Sequence, residues 1–143
     1  MGERKSTHDS GMAGEFYVME ALYRLGHQPA LTLGNAKTVD ILVHLQSGKT
    51  VRISVKTVRG GGKWGVGKDD FSRQSDLFFV FLLYNNFTDV TVRPEVFIVS
   101  ADNVQRFKEP WLESFAVYYS NKDKLKRLEP FRNAWNLIDQ GYA

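Results

Sequence analysis

The strongest constraint on this chain is an alternating apolar pattern interrupted by one short turn. Thr38 to Leu45 and Thr50 to Val58 each place apolar residues at every second position, with Gln46-Ser47-Gly48 between them. A period of two over such lengths predicts a half-buried β-hairpin. A three-residue hairpin loop wants a left-handed residue in its last place, and Gly48 supplies one. Leu45 then stands opposite Lys49, and pairing runs Val43–Val51, Ile41–Ile53 and Val39–Val55. A slip of one residue would turn this whole apolar face to water, so the register is fixed. The opposite face follows: Leu42 across from Arg52, Asp40 from Ser54, and Thr38 from Lys56.

An aspartate, a serine and a lysine therefore share one face at the far end of the hairpin. Asp40 sits among Val39, Ile41, Leu42 and Val43. A carboxylate in such a run is costly to desolvate unless it is paired or bound to a cation. A cross-strand Asp40–Lys56 ion pair is one way to satisfy it. The other way uses the preceding helix. Asp9 or Ser10 is placed to cap a helix starting near Gly11, with Phe16, Met19, Ala21, Leu22, Tyr23 and Leu25 as its apolar face and Gly26 as its stop. That helix carries Glu15. Glu15 and Asp40 beside Lys56 make an oxygen-rich pocket suited to Mg²⁺ or Mn²⁺. Such an ion activates water and polarises a phosphoryl oxygen, while a nearby lysine steadies the transition-state charge. Glu15 is equally accounted for as a first-turn acid favoured by the helix dipole.

At these residues the chain resembles the PD-(D/E)XK nuclease superfamily, and within it the Holliday-junction-resolvase-like branch. Gly11-Met-Ala-Gly-Glu15 is similar to the family's glutamate helix, Val39-Asp40-Ile-Leu-Val43 to its aspartate strand, and Ile53-Ser54-Val55-Lys56 to its (D/E)-x-K strand. Phe78–Leu83 and Pro94–Val99 resemble the remaining core strands, so the likeness spans about residues 10–100. It implies an α/β restriction-endonuclease-like core, a mixed central sheet flanked by helices. It also implies Asp40 and the Val55 carbonyl as metal ligands with Glu15 assisting, and Lys56 as the catalytic amine. Ser54 departs from the pattern, offering a neutral oxygen where the family has an acid; Asp69 or Asp70 is near enough in sequence to substitute.

The rest of the chain is compatible with this. At 143 residues it has the length of one domain, expected over 10–143 behind a loose tail at 1–9. It has no cysteine, which excludes disulfides, thiolate zinc sites and a cysteine nucleophile. The longest apolar run, Leu77–Tyr84, is far short of a membrane span, and the N-terminus lacks the apolar core of a secretory signal, so a cytoplasmic location is expected. Leu77–Tyr84 reads as a strand buried on both faces, Ala30–Leu33 and Val96–Val99 as further strands, and Ala101–Lys108 and Pro130–Asp139 as helices. Phe115–Tyr119 reads as strand or helix, and Lys122–Arg127 as a solvated charged face.

Between Lys49 and Lys68 lie six basic residues and no acid. A solvated basic loop would account for them. So would a phosphate-bearing partner, with Arg52, Arg59, Lys63 and Lys68 holding the backbone and Trp64 stacking on a base. The glycines of 60–67 mimic a P-loop and a dinucleotide motif. Asp69 stands where the P-loop needs a hydroxyl, however, and the segment does not follow the first strand of a βαβ unit. His8, His27 and His44 are scattered, against a histidine zinc site or a serine triad. The expected function is metal-dependent hydrolysis of DNA phosphodiesters, with a homodimer if the substrate is two-fold symmetric. A catalytically degenerate nucleic-acid-binding module and a protein-interaction domain are the alternatives.

Overall fold

A computed structural model describes residues 7–32 and 39–140. Residues 1–6 of the expected tail, Leu33, Gly34, Asn35 and Thr38 lie outside the described residues. Helix α1 (Thr7–Arg24) is followed by β1 (Gln28–Leu31), β2 (Ile41–His44), β3 (Thr50–Val58), β4 (Lys63–Gly65), β5 (Leu77–Leu83) and β6 (Glu95–Ser100). Then come α2 (Ala101–Phe107), β7 (Glu109–Trp111), β8 (Ser114–Tyr118), α3 (Lys122–Leu128), a 3₁₀ turn (Glu129–Phe131) and α4 (Asn136–Gln140). The main sheet has the order β1-β2-β3-β5-β6, with β3 and β5 parallel and the other pairs antiparallel. A second antiparallel sheet has the order β4-β8-β7. The architecture is mixed α/β, with the five-stranded sheet flanked by helices.

The hairpin forms as its periodicity requires. Val43 pairs with Val51 and Ile41 with Ile53. Leu45 N–H donates to Lys49 O at 2.8 Å, and Gly48 takes φ +94° at the end of the loop. β5 is buried at all seven positions because both sheet faces are covered. On the first face Val18 and Leu22 of α1 and Ile138 of α4 pack with Ile41, Ile53, Val55 and Val80. On the second face Phe79 and Phe81 pack with Trp64 of β4, Val104 of α2, Val117 of β8 and Leu128 of α3.

Several local expectations are corrected. α1 begins by Thr7, so Ser10 is inside the helix and buried rather than capping it. The buried stripe of α1 is Ser10, Gly14, Val18 and Leu22, while Phe16, Tyr23 and Leu25 are exposed. Small residues at this stripe let the helix axis approach the sheet. A Cβ at Gly14 would meet Thr57 Oγ1 at 1.8 Å. Lys122–Arg127 forms α3, capped by the Asn121 side chain on Lys124 N–H, and the expected helix at Pro130–Asp139 is split into the 3₁₀ turn and α4. Phe115–Tyr119 resolves as strand β8, held between β4 and β7.

Candidate active site

The ladder between β2 and β3 ends at Ile41–Ile53, short of the expected Val39–Val55 pair. Asp40 still donates its N–H to Ile53 O at 3.0 Å. Beyond it the chain bends, Thr32 binding the Val39 carbonyl through its hydroxyl and the Asp40 carbonyl through its N–H. Val39 thereby packs with the second-face cluster while Val55 stays with the first. The Val55 N–H would be orphaned by this departure. It donates instead to Asp40 Oδ2 at 2.7 Å. A side-chain carboxylate thus takes the place of the missing strand, which explains why an acid is tolerated in so apolar a run.

The strand geometry locates the neighbouring groups. In β3 the N–H and C=O of one residue point to the same side. Ile53 O accepts from Asp40, so odd-numbered residues face β2; Arg52 N–H and Val58 O bond toward the β5 side, so even-numbered ones face β5. The Val55 carbonyl therefore lies on the same vacated edge as the Asp40 carboxylate. One carboxylate and one main-chain carbonyl are hard oxygen donors of the kind Mg²⁺ accepts while keeping several waters. These residues fit such an ion, although among the described residues no three His, Asp or Glu side chains gather as a metal site.

Ser54 and Lys56 project to the second face, into a cleft of about 180 Å³ that Arg52, Asp69 and Gln74 also line. Ser54 is only 4% exposed. Lys56 is half-buried and takes no hydrogen bond or ion pair among the described residues, so the Asp40–Lys56 ion pair is not formed. Glu15 is half-buried on α1, the residue after Gly14 at its close approach to Thr57, and neither it nor Asp40 lines this cleft. The structure therefore sets the Asp40 carboxylate against Val55 on the edge of β3, places Ser54 and Lys56 in the cleft on the second face, where the expected shared face with Asp40 is not formed, and leaves Glu15 on the helix that covers the first face. Asp69 lines the cleft, whereas the Asp70 carboxylate is spent on the Ser72 N–H and hydroxyl, which hold it below the usual carboxylate range.

Of the basic residues, Arg52 lines the cleft and also acts as a strut. Its Nε donates to Asp76 Oδ2 at 2.8 Å, and its Nη2 donates to Asp76 Oδ1 and Gln74 Oε1, each at 2.9 Å. The hydrogen bond from Arg52 holds the Asp76 carboxyl below its ordinary value and raises the guanidinium's own. Nothing in the sequence marked Asp76 as its partner, because the two lie far apart in the chain. Trp64 is also corrected: it is fully buried, its ring centroid lies 4.9 Å from that of Phe81 and 4.6 Å from that of Tyr119, and its Nε1 donates to Leu82 O at 2.9 Å. An enclosed ring cannot stack on a base. The Lys63 amine lies 4.9 Å over the Trp111 ring, and Lys68 is exposed. Arg59 lies at the far end of β3, its Nε on Ser10 Oγ at 2.9 Å and its guanidinium 3.8 Å above the Phe87 ring.

No protein-family model matches this sequence, and no curated protein is detectably similar to it. In three dimensions it is similar to the bacterial homing endonuclease I-Ssp6803I, with a TM-score of 0.63 at 16% sequence identity. The match covers 96% of each chain. The fold is shared with a nuclease. Among the described residues no helix is long and apolar enough to cross a membrane.

Proposed function

We propose that this chain is a nuclease-like domain that binds DNA and hydrolyses its phosphodiester bonds with the aid of Mg²⁺ or Mn²⁺. The observation that carries the reading is the Asp40 carboxylate seated on the Val55 N–H, at the residue before a half-buried Lys56 that has no hydrogen bond or ion pair among the described residues. Asp40 and the Val55 carbonyl would hold the ion, with Glu15 the further carboxylate for the vacated edge and Ser54 a neutral oxygen in place of the family's acid. The bound ion would supply Lewis acidity and a hydroxide at neutral pH. The Lys56 amine orients the attacking water or steadies the charge that builds on the phosphoryl oxygens. Exposed Lys68, with Lys63 and Arg59, holds the strand by its phosphates. The nuclease fold supports this reading, as does the basic run from Lys49 to Lys68. Two copies would meet a two-fold-symmetric duplex.

DNA cleavage with Mg²⁺ or Mn²⁺ tests it, comparing the parent with Asp40→Asn and Lys56→Ala. Loss of cleavage in both variants is expected; an inactive parent, or activity surviving in the variants, refutes it. Ser54 favours a second reading, a module that binds nucleic acid without cutting it. Salt-sensitive binding with no metal-dependent cleavage selects that one.

A further inference from the structure

A second cleft opens where β3 ends, on the face that carries α1. It has a volume of about 340 Å³ and is lined by Thr7 and Ser10 of α1, by Arg59, and by the main chain of Gly60 and Gly61. Among the described residues no acidic side chain lines it. We propose that this cleft is a phosphoryl-oxygen subsite in which the terminal amines of Arg59 grip a phosphate. It rests on the nuclease-like reading only for the source of that phosphate, a backbone phosphodiester flanking the one cleaved.

Arg59 is prepared for this role in a way the other basic residues are not. Its guanidinium is fixed from two directions, by Nε on Ser10 Oγ and by the Phe87 ring beneath its plane. Both contacts use the inner nitrogen and the flat face. The two terminal nitrogens take no hydrogen bond or ion pair among the described residues. A planar fork already held in place loses little side-chain freedom on binding, and it matches the geometry of two phosphate oxygens. Arg52 shows the contrast, since its fork is already filled by Asp76. Next to Arg59, Gly61 takes φ +94° and a Cβ there would meet nothing within 4 Å. The backbone is thus bare at the cleft wall, where amides can approach an anion without a side chain intervening.

The test uses the full chain in EDTA, so that cleavage does not intervene. Inorganic phosphate is titrated into nitrogen-labelled protein, and the amide resonances of Gly60 and Gly61 are followed in the parent, Arg59→Gln and Arg59→Lys. Saturable shifts in the parent, abolished in Arg59→Gln and weakened in Arg59→Lys, are expected. Absence of saturable shifts in the parent, or identical shifts in Arg59→Gln, overturns the subsite. A thermal melt of each variant verifies the fold, and Arg59→Lys preserves the charge if loss of the Ser10 and Phe87 contacts lowers stability. The second arm measures duplex DNA affinity against salt concentration. The slope of log K against log salt should fall by about 1 in Arg59→Gln; an unchanged slope overturns the backbone contact. Phosphate shifts in a parent that binds no DNA would uphold the subsite as one for a smaller phosphate compound and refute the DNA-binding function.

Discussion

Replacing Gly14 by alanine tests how α1 is seated, and the outcome turns on two opposed terms. Alanine is favoured over glycine in a helix interior by about 1 kcal/mol. Against this, the new Cβ would lie 1.8 Å from Thr57 Oγ1, 3.0 Å from Thr57 Cβ and 3.2 Å from Thr57 Cγ2. Rotating the threonine cannot clear the site, because its Cβ, fixed by the backbone of β3, is itself at the edge of contact. The helix must lift from the strand, and overpacking of this kind costs about 1–3 kcal/mol. With displacement of more than an ångström required, the upper end applies, and the net loss is about 2 kcal/mol. For a chain of this length that lowers Tm by roughly 4–8 °C. Thr57→Ala removes Oγ1 and Cγ2, so the double variant should recover at least half of the loss, a coupling of about 1 kcal/mol or more in a double-mutant cycle. Urea unfolding followed by circular dichroism measures all four proteins. A Gly14→Ala protein as stable as the parent, or a double variant with no recovery, would refute the close approach of α1 to β3.

Asp40→Ala should cost stability as well as activity, about 1–3 kcal/mol, because it leaves the Val55 N–H without its acceptor; Asp40→Asn keeps an acceptor and should melt near the parent, which calorimetry resolves. The Asp76, Glu95 and Glu129 carboxyls are all held below their ordinary values by hydrogen bonds, from Arg52 for Asp76, from Asn85 and then Arg132 for Glu95, and from Arg132 for Glu129. Their stabilisation is present above the unfolded carboxylate range near pH 4 and is lost as pH falls through the lower folded values. The urea midpoint should therefore drop on acidification below about pH 5, and Asp76→Asn should flatten that drop; an equally steep profile in the variant counts against the Arg52–Asp76 strut. Trp64→Ala should cost about 3–5 kcal/mol, as for other large buried aromatics, while Trp64→Phe should leave DNA affinity unchanged in an anisotropy titration; weakened binding by a folded Trp64→Phe protein would restore the base-stacking role.

Local order was legible wherever the pattern of residues and the local chemistry agreed. The hairpin register, the glycine at its third loop position and the strand at Leu77–Leu83 all follow from periodicity and turn chemistry, because each is decided by neighbours in sequence. The placing of Asp40, Ser54 and Lys56 at one end of the hairpin follows from that register. The Val39–Val55 pair was misjudged because Thr32, just past the end of β1, holds the Val39 and Asp40 carbonyls where the chain bends. The apolar face of α1 was misjudged in part: Leu22 is buried as expected, but the close approach of Gly14 to Thr57 turns Ser10, Gly14 and Val18 to the sheet and leaves Phe16, Tyr23 and Leu25 exposed.

The amino-acid sequence by itself determined the strands β2, β3, β5 and β6, the hairpin and the identity of the groups at the candidate site, since alternation and turn preference act over a few residues, but not the short strands β4 and β7. Only the tertiary structure decided which of those groups are free to act. Pairing β3 with a parallel strand across 18 intervening residues brings Asp76 to Arg52 and engages that guanidinium, while the terminal nitrogens of Arg59 meet no partner among the described residues. Pairing β4 with β8 sets Trp64 against the second face of the main sheet and removes it from any surface. Charge and aromatic content are properties of residues, but availability is a property of neighbours, and those neighbours come from distant parts of the chain.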